Sequence, residues 1–120
     1  MLKTKDEIIQ WLDKYKIEKY TVNDDLTVDV DGSVWVSNKF ISIIPIKFNL
    51  VTGYFLCSMN KAKNLEFCPK YVGDSFYCQN NPLKSIKELF DIEIKGAILV
   101  PEHLEDSKEY KLLQKIHNLC

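Results

Sequence analysis

Val34-Trp35-Val36-Ser37-Asn38-Lys39-Phe40-Ile41-Ser42-Ile43-Ile44 is followed, 21 residues on, by Phe55-Leu56-Cys57-Ser58-Met59-Asn60-Lys61-Ala62-Lys63-Asn64-Leu65. A further 21 residues bring Phe76-Tyr77-Cys78-Gln79-Asn80-Asn81-Pro82-Leu83-Lys84-Ser85-Ile86. Aligned, the segments share apolar-x-apolar-x-x-Asn-x-apolar-x-x-apolar, with Asn60 and Asn81 at the asparagine position. The first copy carries Lys39 there, and Asn38 stands one place early. Each copy follows a glycine by a few residues: Gly32, Gly53 and Gly73. Self-similarity at a fixed period is the signature of stacked repeats, each unable to bury its apolar face alone.

The pattern is the leucine-rich-repeat template at the short end of its period range. It predicts an α/β fold: a short leucine-rich-repeat-like solenoid of about three or four coils with parallel short strands. In each coil the two apolar residues of the strand point inward and the one between them points out. Val34 and Val36, Phe55 and Cys57, and Phe76 and Cys78 are then inner ladders. Ile41, Ala62 and Leu83, followed by Ile44, Leu65 and Ile86, close the core from the returning arc. An inward asparagine amide where the chain leaves the strand satisfies backbone groups that the turn leaves unpaired. Cys57 and Cys78 read as small, buried, reduced residues.

A solenoid needs its open ends covered. The chain reads as one domain with residues 1–33 as an N-terminal helix and hairpin cap, 34–100 as coils, and 101–120 as a C-terminal helix cap. Thr4-Lys5-Asp6-Glu7 is a capping box, and Ile8, Ile9, Trp11, Leu12 and Tyr15 fall on one helical face behind it. Leu26, Val28, Val30, Val34 and Val36 alternate, with Asp31-Gly32 expected as a hairpin turn. Ile92 to Val100 supplies a fourth, degenerate strand, and Tyr110, Leu112, Leu113, Ile116 and Leu119 make the last helix amphipathic.

Between Asn64 and Asn81 the string Cys68-Pro69-Lys70-Tyr71-Val72-Gly73-Asp74-Ser75-Phe76-Tyr77-Cys78, preceded earlier by Leu26-Thr27-Val28-Asp29-Val30-Asp31-Gly32, resembles the small leucine-rich-repeat-like proteins encoded by tailed bacteriophages. The likeness covers roughly residues 4–86; after that the third copy runs into Lys87-Glu88-Leu89-Phe90 instead of a Cys-Pro-Lys segment. The resemblance implies the fold, a phage origin and a place in the host-cell cytoplasm. It implies no reaction, because most members have no assigned activity.

The 120 residues carry sixteen lysines, no arginine and seventeen acidic residues, for a net charge of -1. That is not the basic footprint of a non-specific nucleic-acid binder, and bidentate guanidinium readout is absent. The N-terminus is charged within three residues and has no apolar core behind it, so no signal peptide is expected; no apolar run is long enough to span a membrane. The default location is therefore the cytoplasm. Cys57, Cys68, Cys78 and Cys120 form no CxxC pair, and Asp29, Asp31 and Gly32 lack the first aspartate and closing glutamate of a calcium loop. His103 and His117 have no Ser or Cys at a nucleophile spacing. No Walker loop, GxGxxG, HExxH or GxSxG is present, so no enzyme, catalytic residue, metal or cofactor is expected.

The outward strand positions depart from a solvated sheet. Trp35, Leu56 and Tyr77 recur at the 21-residue spacing, with Ser33, Tyr54 and Ser75 on one side and Ser37, Ser58 and Gln79 on the other. An apolar stripe inside a polar rim is the composition of a protein-binding surface, and Trp35, Tyr54, Leu56 and Tyr77 are its expected anchors. A second copy of the chain or the C-terminal helix are the rival occupants. Nucleic acid is the competing class, with Trp35, Tyr54 and Tyr77 stacking bases and Lys39, Lys61, Lys63 and Lys84 on the rim.

Overall fold

The structure, a computed structural model, describes residues 1–119. The expectations for the Leu119 side chain and for Cys120 fall outside the described residues.

Helix α1 (Lys5–Lys14) starts where the sequence places it. The Glu7 amide donates to Thr4 Oγ1 at 3.2 Å, and the Thr4 hydroxyl donates to the Glu7 carboxylate at 3.0 Å. Ile8 and Leu12, one turn apart on the same face, are buried. Nine short strands follow: β1 (Tyr20–Val22), β2 (Thr27–Val30), β3 (Val34–Trp35), β4 (Lys47–Val51), β5 (Phe55–Leu56), β6 (Tyr71–Val72), β7 (Phe76–Tyr77), β8 (Glu93–Ile94) and β9 (Ile98–Leu99). Helix α2 (Lys108–Leu119) ends the described chain.

The strands form two sheets, in the orders β1-β2-β4-β6-β8 and β3-β5-β7-β9. Every pairing is parallel except β1 with β2. Val34 pairs with Phe55 and Phe55 with Phe76, which is the 21-residue offset read from the sequence. The molecule is thus a parallel-strand solenoid with a helix at each end. Each coil contributes one strand to each sheet.

Two expectations change. Asp31-Gly32 is not a hairpin turn: β2 and β3 lie in different sheets, and the two residues form the corner between them. An alternating run keeps the same side chains inward whether the chain folds back or bends, so periodicity cannot separate the two. The hairpin lies one strand earlier, between β1 and β2, where the Asn23 amide donates to Thr27 O at 2.8 Å and Leu26 takes a φ of 68°. The segment from Ile92 to Val100 is also not one strand; β8 and β9 join opposite sheets around Gly96. Gly73, the glycine before the third copy, stands one place ahead of the position in register with Gly53. In register with Gly32 and Gly53 stand Asp74 and Gly96, whose amides stack as Asp74 N–H to Gly53 O at 3.1 Å and Gly96 N–H to Asp74 O at 3.0 Å.

The core follows the inner ladders. Val34, Val36, Phe55, Cys57, Phe76 and Cys78 are all buried. Phe55 stacks on Phe76 at 5.4 Å and on Phe67 at 5.9 Å, and meets Phe48 edge-on at 5.2 Å.

Asn60 and Asn81 reach backward to the preceding coil. Asn60 Nδ2 donates to Val36 O at 2.8 Å and to Cys57 O at 3.1 Å, while its Oδ1 accepts from the amides of Lys39 and Ile41, both at 3.0 Å. Asn81 repeats this one coil on, donating to Cys57 O at 3.0 Å and Cys78 O at 3.1 Å and accepting from the Ala62 amide at 3.0 Å. The first copy has no preceding coil to hold, which is why Lys39 serves there with its side chain in solvent.

At the far end α2 seals the last coil. Leu113 is buried, and the Glu109 carboxylate accepts from the Ser85 hydroxyl and the Ile86 amide. His117 Nε2 lies 2.8 Å from Gly96 O.

Candidate functional site

In the β3-β5-β7-β9 sheet the outward positions align as Trp35 beside Leu56, Leu56 beside Tyr77, and Tyr77 beside Leu99. The structure therefore brings Trp35, Leu56 and Tyr77 together as the sequence predicts and extends the stripe by Leu99. That residue was missed because the spacing widens to 22 between Tyr77 and Leu99, one residue more than the repeat. Gly96, in register with Gly53, was the signal that could have found it.

Trp35 is 68% exposed, Tyr54 41% and Leu99 40%. Leu56 and Tyr77 are half-buried because neighbouring strands flank them on both sides. The C-terminal helix does not cover this face: its contacts are with the last coil, at Ser85, Ile86 and Gly96. Its reading as an intramolecular lid is corrected; α2 buries Leu113 on the open end of the coil stack because that end exposes core and the sheet face does not.

Beside the stripe lies a depression of about 200 Å³ lined by Tyr54, Leu56, Asp74, Ser75 and Tyr77. Its rim is firmly held. Ser33 Oγ accepts from the Tyr54 amide at 3.1 Å, and Ser75 Oγ accepts from the Ala97 amide at 3.0 Å, so these serines tie adjacent coils. On the other side Ser37 and Ser58 share a hydrogen bond of 3.0 Å. Next in that row, Gln79 Oε1 is buried with no hydrogen-bond partner among the described residues.

Two of the four lysines expected on the rim line a different hollow. Lys61 and Lys63 line a separate hollow with Ile43, Ile44 and Phe67 on the returning arc. The charged residue at the stripe's own depression is the acidic Asp74.

His103, Cys57 and Cys78 are engaged in holding the fold. His103 Nε2 lies 2.7 Å from Leu83 O. The Cys57 thiol donates to Tyr77 O and the Cys78 thiol to Leu99 O, both at 3.4 Å. Burial raises the thiols of Cys57 and Cys68 well above their ordinary pKa and pushes Cys78 up to about 12, so at neutral pH they are protonated and poor nucleophiles. Among the described residues no three His, Cys, Asp or Glu side chains converge on a common point, and no helix is long and apolar enough to cross a membrane.

Fold and face together define a helix-capped, parallel-strand solenoid that presents a preformed apolar stripe. No protein-family model, curated protein or solved structure matches the chain.

Proposed function

We propose that this chain is a non-catalytic protein-binding module of the leucine-rich-repeat-like type, phage-encoded, that docks on a host protein in the host-cell cytoplasm and inhibits or otherwise modulates it. The observation that carries the binding reading is the exposed stripe of Trp35, Leu56, Tyr77 and Leu99, with Tyr54 beside it, on a sheet whose rim serines are already hydrogen-bonded. A rigid apolar surface binds without a large ordering cost, and exposed Trp and Tyr are the residue types that anchor interfaces. The phage and leucine-rich-repeat parts rest on the sequence resemblance and on the asparagine that follows each strand of the later coils.

A protein partner is favoured over nucleic acid because the depression beside the aromatic residues carries Asp74, while Lys61 and Lys63 line a different hollow. Phosphates would meet a carboxylate where they need cations. Self-association through the stripe is the other occupant that this face would accept.

The test is a pull-down of the tagged chain from host-cell lysate beside the Trp35→Ala/Tyr77→Ala variant, followed by mass spectrometry. The expected result is one protein retained by the parent chain and lost by the variant. Each single substitution should then weaken the purified complex by about 2 kcal/mol or more. Equal retention by both proteins removes the sheet face from consideration, and recovery only of nuclease-sensitive material refutes a protein partner.

A further inference from the structure

The hollow on the returning arc carries lysines and lies apart from the stripe. From Gly32 to Leu65 the chain has no Asp or Glu, yet it carries Lys39, Lys47, Lys61 and Lys63. Lys47 is occupied, donating its ammonium to Cys68 O. Lys39, Lys61, Lys63 and, one coil on, Lys84 are exposed. The ion pairs among the described residues are Lys5 with Asp24 and Lys95 with Glu93, so none of these four lysines has a carboxylate partner.

Apolar groups stand among them. Phe40 is 76% exposed and Ile43 75%, and the Lys61 ammonium lies 5.9 Å from the centre of the Phe40 ring. Phe40 also holds a φ of 57°, a left-handed conformation that costs a non-glycine residue about 1–2 kcal/mol. That strain sets a bulky ring in solvent and leaves it outside the core. Between the lysines the surface sinks into a hollow of about 620 Å³ with Ile44, Phe67 and Pro82 in its walls and Asn64 and Glu66 at its rim.

We propose that this hollow is a second binding site, for an acidic peptide segment that carries an apolar anchor side chain. Carboxylates of the segment pair with Lys61 and Lys63, and the anchor lies against Ile43, Ile44 and Phe67. Unpaired lysines set the sign of the ligand, and the concave apolar wall sets its shape: a side chain enters a hollow, whereas a bilayer takes up a protrusion. Nucleic acid fits less well, because no guanidinium is present and Phe67, the aromatic residue in the wall, is buried and offers no open ring face for a base to stack on. The site lies on different residues from the sheet stripe and does not depend on that face having a partner.

The experiment is a fluorescence-anisotropy titration of the full chain with a labelled random glutamate–tyrosine copolymer. Polyglutamate, an oligothymidylate and phosphatidylserine vesicles run beside it. The copolymer should bind at least about tenfold more tightly than polyglutamate, and its affinity should fall as NaCl rises. Lys61→Glu/Lys63→Glu should weaken copolymer binding at least about tenfold, and Ile43→Ser should remove most of the preference for the tyrosine-containing polymer. These side chains are exposed, and an unchanged urea midpoint confirms that each variant is folded. The Trp35→Ala/Tyr77→Ala variant should bind the copolymer as the parent does. No copolymer binding, binding insensitive to the lysine reversals, tighter binding of oligothymidylate or vesicles, or loss of binding in the stripe variant would each overturn the proposal.

Discussion

Asn60→Ala removes the group that joins the second coil to the first. In the parent chain its amide serves five backbone groups: the N–H of Lys39 and of Ile41, the carbonyls of Val36 and Cys57, and, at 3.4 Å, the carbonyl of Ser58. The Cys57 carbonyl keeps a second donor in Asn81, so its loss is small. The two N–H groups are the costly ones, since a buried unsatisfied donor costs about 1–3 kcal/mol. Asn60 is 8% exposed, so little water reaches the vacated space. Together these give a loss of about 3–4 kcal/mol, a large share of the 5–15 kcal/mol typical of a domain. Equilibrium urea unfolding followed by circular dichroism measures it directly, with an unchanged slope showing that the denatured state is not what moved. Lys39→Asn is the control: with no preceding coil to bond, it should change stability by less than about 0.5 kcal/mol. An Asn60→Ala loss below about 1 kcal/mol would refute the account of the asparagine as a tie between coils.

Met59 occupies a left-handed position, φ 54°, in register with Asn38 at 57° and Asn80 at 58°. Met59→Asn should therefore stabilise the chain by up to about 1 kcal/mol in the same urea assay, and a loss would contradict the assignment of strain there. A Cβ on Gly73 would stand 2.1 Å from Thr52 O, a backbone atom that cannot turn aside, so Gly73→Ala should cost about 3 kcal/mol or leave the chain unfolded by circular dichroism. Gly32→Ala meets no atom within 4 Å and should suffer only from its φ of +155°, a smaller loss in the same comparison. The buried thiols make stability fall in alkali. Above the ordinary value of 9.0 the unfolded chain releases the Cys78 proton while the folded chain keeps it until about 12, so unfolding is favoured as pH rises. Each such thiol contributes a slope of up to about 1.4 kcal/mol per pH unit, and a Cys78→Ala variant should show a shallower decline in urea midpoint between those limits. Under native conditions a thiol reagent should label Cys57, Cys68 and Cys78 only as fast as the chain opens, and immediate labelling would show the thiols exposed.

The period, the inward ladders, the asparagine ties and the outward stripe were legible in the sequence. Each is set by residues adjacent in the chain or exactly one coil apart, and stacking identical short strands leaves no other register that buries Phe55 and Phe76 together. What the sequence left open is decided by contacts between segments whose local patterns agree. Alternation at Leu26 to Val36 is the same for a hairpin and for a corner, and only the pairing of β2 with β4 and of β3 with β5 selects the corner. The stripe's fourth member, Leu99, is displaced by a one-residue widening of the last spacing, and only the pairing of Tyr77 with Leu99 restores it. Whether the stripe was open depended on where α2 docks, and amphipathicity says that a helix buries a face without saying on what. The sequence by itself determined the repeat and the side chains that face in or out, because a strand's two-residue alternation is local. Tertiary structure alone decided that two sheets exist, that Lys61 and Lys63 line a hollow separate from the stripe, and that the stripe is left to solvent.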